Sequence, residues 1–339
     1  MHSVGTPEMW TLFAAFVLLC LWVDFSALRR QGAHRVSMGE AAIWSLLWIA
    51  VSFLFGAWLW WFLGGMSGDP ARETTADAKA LEFLAGYLIE KALAVDNMFV
   101  FLMIFSHFGV PAELQKRALM IGILGALLLR AAMILLGAWA IRHFHWLLYG
   151  FGAFLVYTGI KMWFAAGEEP DLEANRTLRW LRRRIRIAPF YDGDKLFTVH
   201  EGVRVATPLA LVVLFIGFVD LIFAVDSIPA IFAITTDPFI VLTSNVFAIL
   251  GLRALYFLLA GMHERFHLLS YGLAVVLVLI GAKMLLADVY KVPISWSLTA
   301  TAAILATAMA LSLLVPAKPG LRGAYPFATK RERPPEEPF

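Results

Sequence analysis

The sequence predicts an all-α polytopic membrane protein of about nine transmembrane helices, six of them arranged as two inverted three-helix repeats. Three observations predict it. Apolar residues fall in runs long enough to cross a bilayer, basic residues alternate between the connecting loops, and a set of charged and glycine motifs recurs once along the chain. Of the 339 residues, 60% are hydrophobic and 16% are charged, against roughly 45–50% and about 25% in a soluble domain. The net charge is only +3, so its placement matters more than its size.

Nine segments have the length and apolarity of spanning helices. They cover roughly 9–28, 41–65, 80–106, 117–141, 146–166, 206–234, 239–262, 267–287 and 294–316. The run from Trp10 to Leu28 is too long for a signal core and lacks a basic leader, so it counts as a span. The third and sixth runs carry charges at their middles. Cys20, the single cysteine, makes no internal disulfide and supplies no thiolate cluster; it reads as a small lipid-facing or packed residue.

Arg29, Arg30 and Arg35 follow the first span, and Lys116 and Arg117 the third. The longest loop carries Arg176, Arg179, Arg182, Arg183, Arg184, Arg186 and Lys195, and the tail Lys318, Arg322, Lys330, Arg331 and Arg333. With nine spans all of these share one side. The other side holds the N-terminus, the acidic-leaning loop Asp69–Asp77 and the turn Thr235–Pro238. Arg142 is a weak exception. The positive-inside rule then puts the N-terminus outside and the C-terminus in the cytoplasm of a bacterial inner membrane.

The expected organisation is a two-helix membrane segment (1–79), a first three-helix repeat (80–166), a cytoplasmic basic linker (167–205), a second repeat (206–287), and a last helix with a cytoplasmic tail (288–339). The linker reads as solvated chain whose arginines meet anionic lipid headgroups. No folded basic domain accompanies it, so no nucleic-acid partner is expected.

The repeat is carried by charged residues. Glu90-Lys-Ala-Leu-Ala-Val-Asp96-Asn97 aligns with Asp220-Leu-Ile-Phe-Ala-Val-Asp226-Ser227. Leu129-Arg130-Ala131 aligns with Leu252-Arg253-Ala254. Phe144-His145 through Tyr149-Gly150 aligns with Phe266-His267 through Tyr271-Gly272, and Gly159, Lys161 and Met162 with Gly281, Lys283 and Met284. Each copy covers three spans. Three is odd, so the copies enter the membrane from opposite faces, the plan of secondary transporters with a site near the midplane. Duplication for packing alone does not explain the acids.

Glu90, Asp96, Asp220 and Asp226 lie near the middles of the third and sixth spans. An ionisable residue at the bilayer centre costs roughly 2.5–3.5 kcal/mol and marks a functional site. On an ideal helix Glu90 and Asp96 diverge by about 120°. Either the helix unwinds so that both acids line one cavity, or one acid binds substrate while the other pairs with a buried cation. Pro229 either unwinds the sixth span, freeing the carbonyl of Val225 as a ligand, or simply kinks it. Lys91, Arg130 and Arg253 share this depth as counter-charges and leave one acid in excess. Asn97, Ser227, Ser244 and Asn245 add neutral ligands. His107, His143, His145, His263 and His267 fall at span ends. This oxygen-rich set favours hard ions such as Mn²⁺, Mg²⁺ or Ca²⁺ over Zn²⁺ or Cu⁺.

The run from Phe223-Ala-Val-Asp226-Ser-Ile-Pro229 through Thr235-Thr-Asp237-Pro238, Ser244-Asn245 and Gly251-Leu-Arg253-Ala-Leu-Tyr256 resembles the TerC/Alx family of bacterial membrane proteins. Glu90-Lys-Ala-Leu-Ala-Val-Asp96-Asn97 resembles that family's first acidic motif, and the similarity covers roughly residues 40–316. The resemblance implies manganese efflux and metal homeostasis, with tellurium resistance in the founding branch, a historical label of redox modulator, and kinship with the lysine-exporter superfamily. It carries the family's acidic residues onto Glu90, Asp96, Asp220 and Asp226. The expectation is therefore a secondary transporter exporting manganese, with the ion as cargo and no permanently bound cofactor. The alternative is a stress-resistance factor that moves no metal. No Walker sequence for ATP appears. Asp96 and Asp226 follow Ala-Val rather than the Gly-x-Gly-Asp pattern of intramembrane aspartyl proteases, and the acids come in pairs, so no enzyme activity is expected.

Overall fold

The computed structural model describes residues 3–31, 38–144, 146–165, 178, 180–181, 184–200, 202–260, 268–286, 288–289 and 292–315, with side chains undescribed at 24–31, 38, 96, 99, 112, 142, 165 and 226. A helix occupies each of the nine predicted segments, and one segment is split in two. The helices are α1 (Pro7–Gln31), α2 (Met38–Phe62), α3 (Pro70–His107), α4 (Ala112–His143), α5 (Leu147–Ala165), α6 (Pro208–Phe232), α7 (Pro238–Ile249), α8 (Leu252–Ala260), α9 (Leu269–Leu285) and α10 (Ile294–Leu314).

Length and composition alone qualify five of these as membrane-crossing, or six when the bent pair α7–α8 counts as one span. Two of the other helices fall outside that test for physical reasons: α3 carries Glu90, Lys91 and Asp96 at its centre, and α9 has 17 residues.

Three of the helices that build the centre start alike. Asp69, Thr207 and Asp237 cap α3, α6 and α7, each followed by proline at the first helical position. The cap oxygens accept from Ala71 N at 3.0 Å, Ala210 N at 3.3 Å and Phe239 N at 3.0 Å. Such a cap satisfies an otherwise orphaned N–H, and proline there gives up a donor the helix does not use.

Of the two readings of Pro229, unwinding does not occur: α6 runs unbroken through it to Phe232. The proline lies in the last turn, so few helical bonds remain for it to disturb. The break comes between α7 and α8, which meet at 41°. Gly251 sits there at φ 138°, and a Cβ on it would stand 2.8 Å from Trp48 Cβ; only glycine adopts that backbone without strain.

Contacts fix the helix directions. α3 and α7 run parallel, joined from Glu82–Thr235 to Lys91–Ala248. α4 and α6 also run parallel, with Gly122 against Ile216 and Gly137 against Phe232. α3 and α6 are antiparallel, with Gly86 against Ile231 and Phe108 against Phe215. α5 and α9 are antiparallel and their backbones nearly touch. A Cβ on Gly281 would lie 2.7 Å from Gly152 O, and one on Gly159 2.8 Å from Ala274 O. Small residues at such a seam let helices pack closely without a hydrophobic driving force from lipid. An apolar core of Phe83, Phe105, Phe215, Phe239, Phe247 and Tyr256 fills the rest of the centre.

Part of the predicted linker folds. β1 (Phe197–His200) and β2 (Val203–Ala206) form an antiparallel hairpin pairing Phe197 with Ala206 and His200 with Val203. The Tyr191 hydroxyl donates to Phe108 O at 2.8 Å, and Arg117 pairs with Asp194. The segment thereby joins the end of α3 and the start of α4 to the start of α6. Thr198 and Lys195 hydrogen-bond the Asp192 carboxylate and hold it below the usual carboxylate range, while burial raises the Tyr191 phenol.

Candidate functional site

Four helices meet at one buried polar network. Glu90 of α3, Arg130 of α4, Asp220 of α6 and Asn245 of α7 are 1%, 2%, 5% and 1% exposed. Arg130 pairs with Glu90 through Nη1 and approaches Asp220 Oδ1 with Nη2 at 3.4 Å. Arg130 Nη1 also donates to Asn245 Oδ1 at 3.3 Å, and Asn245 Nδ2 donates to Glu90 Oε2 at 3.3 Å. One guanidinium thus stands between two carboxylates, one from each acidic motif. A charged group in this setting is costly unless paired and hydrogen-bonded.

Of the sequence candidates, the structure brings together Glu90, Asp220, Arg130 and Asn245. α3 stays helical from Glu90 to Asn97, so it does not unwind to set Glu90 and Asp96 on one face. The pairing alternative describes Glu90 instead, since its partner is a buried cation. Lys91 turns elsewhere: its Nζ donates to Ala248 O at 3.2 Å, where the carbonyl end of α7 favours a cation. Arg253 opens α8 and lines a cavity with Glu40, Trp44 and Lys116. Asn97 and Ser227 are buried, and the Ser227 hydroxyl has no hydrogen-bond partner among the described residues. The side chains of Asp96 and Asp226 lie outside the described ones. Among the described residues no three His, Cys, Asp or Glu side chains gather as a metal-holding group.

A second charged cluster lies at the start of α7. Asp237 accepts from Ser3 Oγ and Val4 N, both at 2.9 Å, and from Phe239 N. Glu82 accepts from Lys79 Nζ at 2.8 Å and from Thr235 Oγ1 at 2.5 Å. Lys79 Nζ also lies 3.9 Å from Asp237. The sequence reading treated Thr235–Pro238 only as a turn. The overlooked signal was Asp237-Pro238, a helix-start pair whose acid has a capping role.

Comparison with known proteins points to an integral membrane family. The profile described as "Integral membrane protein TerC family" matches residues 75–319. A protein of Escherichia coli (strain K12) named "Putative membrane-bound redox modulator Alx" is 54% identical over 298 residues, 88% of this chain and 92% of its own length. Its Salmonella typhi namesake is 53% identical over 315 residues, 93% and 97% of the two chains. The uncharacterized membrane protein STKORF319 of Myxococcus xanthus is 46% identical over 312 residues, 92% and 94%. No solved structure matches. With a family profile over most of its length and close relatives along nearly all of it, the chain belongs to the TerC family of integral membrane proteins.

Proposed function

We propose that this protein is a secondary transporter that exports a hard divalent cation, manganese being the ion that the family resemblance implies. The observation that carries the reading is the convergence of Glu90 and Asp220, one acid from each motif, on a single buried site where α3, α4, α6 and α7 meet. Asp96 and Asp226 are the second acid of each motif, six residues further along the sequence, and the family resemblance extends to them, with Asn97, Ser227 and Asn245 as candidate neutral oxygens. Carboxylate and amide oxygen suits Mn²⁺ and Mg²⁺ chemistry. Metal binding displaces protons from such ligands, so proton exchange is the natural coupling.

The helix directions support an inverted repeat. α3 packs on α7 as α6 packs on α4, parallel in both cases, while α3 and α6 oppose each other. The α5–α9 seam is reciprocal as well. The register that aligns Tyr149-Gly150 with Tyr271-Gly272 makes Gly152 the counterpart of Ala274 and Gly159 that of Gly281. The close pairs are Gly152 with Gly281 and Gly159 with Ala274, the exchange a two-fold axis requires. On this reading the chain crosses the membrane nine times, from an outer N-terminus to a cytoplasmic C-terminus. Cysteine labelling at Ser3 and Thr177 in intact cells then gives opposite accessibility; equal accessibility contradicts the topology.

The name of the Escherichia coli and Salmonella relatives favours a second reading, a membrane factor of redox or stress defence that moves no metal. Flux separates the two. Purified protein in liposomes should take up Mn²⁺ saturably when tested ion by ion. Protein that binds Mn²⁺ without moving it would establish the second reading.

A further inference from the structure

The midplane site already holds a cation. A guanidinium keeps its charge at every pH the protein survives, so Arg130 can leave Glu90 and Asp220 only by moving. Its hold is incomplete. The contacts to Asp220 and Asn245 are 3.4 and 3.3 Å, and Asp220 Oδ2 and Arg130 Nε have no hydrogen-bond partner among the described residues. A bidentate fork would have used both carboxylate oxygens. Among the described residues the network is therefore incompletely satisfied, and an unpaired buried polar group is costly to keep.

A divalent ion arriving at these carboxylates meets a positive charge a few ångströms away, and in a low-dielectric interior the two repel strongly. They cannot share the site. Two carboxylates with one guanidinium carry a net −1, whereas two carboxylates with one divalent ion are neutral. Exchange of one cation for the other therefore changes the site's charge by one unit, and neither state leaves both acids bare in the membrane.

We propose that Arg130 is a tethered counter-cation that competes with the transported ion for Glu90 and Asp220 and thereby sets the site's preference for doubly charged ions. The inference rests on the metal-transport reading. A monovalent ion from solution has to displace an equal charge that is held in place at high effective concentration. A divalent ion brings twice the attraction and succeeds. When it departs, the guanidinium returns and closes the site behind it. Arg130 is thus a specificity residue that acts by occupying the ligands, not by touching the ion.

The test is thermal unfolding of detergent-purified wild type, R130Q and R130K titrated with MnCl₂, with sodium exchanged for choline at constant ionic strength, beside Mn²⁺ flux for each protein. Without metal, R130Q should melt below wild type, because two carboxylates lose their common partner. Mn²⁺ should restore it, with a half-saturating concentration at least tenfold below that of wild type and sensitive to sodium. R130K should titrate between the two, because its point charge pairs less well. If R130Q is not recovered folded, the R130K midpoint decides: a lower midpoint than wild type supports competition, and an unchanged or higher one overturns it. R130Q that folds and titrates at or above the wild-type concentration also overturns it. A wild type that neither responds to Mn²⁺ nor moves it removes the transport reading and the counter-cation together. A wild type that transports while both variants titrate like it removes the counter-cation alone.

Discussion

Two charged clusters sit on the same pair of parallel helices, eight residues or about 12 Å apart along α3, and they are built to different standards. At the α7 start, Asp237 accepts from Ser3, Val4 and its own helix cap, and Glu82 is held by Lys79 and Thr235. Most of these contacts are at 2.5–3.0 Å. At the centre, Glu90, Arg130, Asp220 and Asn245 are at least as buried, yet three of their four contacts are 3.3–3.4 Å, and Arg130 Nε and Asp220 Oδ2 have no hydrogen-bond partner among the described residues. A satisfied cluster rigidifies the fold, and an unpaired buried polar group is costly to keep. The contrast teaches that burial and charge alone do not distinguish the two clusters; the hydrogen bonds made among the described residues do.

Substitutions on each side can break this comparison. The largest effect should come from Asp220→Asn. It keeps size and removes charge, leaving Arg130 paired with Glu90 alone, so Mn²⁺ flux in liposomes should fall about 100-fold, equivalent to about 2.7 kcal/mol, while the melting temperature moves little. Glu90→Gln should behave alike or slightly more mildly. A well-folded Asp220→Asn protein with full flux would show the central cluster to be as structural as the other.

The opposite pattern is expected at Asp237→Ala. Losing the cap and two bonds to the N-terminal segment should cost about 2–4 kcal/mol, read as a lower melting temperature, with flux per folded molecule kept. Loss of flux without loss of stability there would assign that cluster a direct role in transport. Thr235→Val, which removes one donor to Glu82, should cost about 1 kcal/mol in the same assay.

The sequence made much of this legible. The charged repeat located Glu90 and Asp220. Composition and periodicity also located a helix in every predicted segment. Partner choice was out of reach. Lys91, Arg130 and Arg253 share a depth, but helix rotation aims Lys91 at the α7 carbonyls and Arg130 at both acids. Pro229 drew attention as a place where the helix unwinds or kinks, because proline is the stronger sequence signal; the break at Gly251 depends on Trp48 packing against it, a tertiary fact. The hairpin could have been found. Phe197-Thr-Val-His and Val203-Arg-Val-Ala flank a two-residue Glu-Gly turn, but the arginines around it drew the reading toward solvated chain.

The smallest effects belong to that hairpin. Tyr191→Phe removes the bond to Phe108 O and should speed hydrogen exchange over 197–206 by about threefold to tenfold, on the scale of a single net hydrogen bond, with the global melting temperature unchanged. The lowered Asp192 carboxyl gives a pH dependence of known sign. Its folded pKa lies below its unfolded one, so its contribution is present above the ordinary carboxylate range and lost as the pH falls through that range. Protection at Thr198 should drop on acidification, and Asp192→Asn should abolish that dependence.

The central claim is that acids from two inverted halves carry a divalent ion across the membrane. Radioactive manganese uptake into liposomes, measured for wild type, Asp96→Asn and Asp226→Asn with matched melting temperatures, tests it most directly. The account predicts saturable uptake by wild type and a fall to the level of protein-free liposomes in both variants. Well-folded Asp96→Asn and Asp226→Asn proteins that take up manganese like wild type would contradict it.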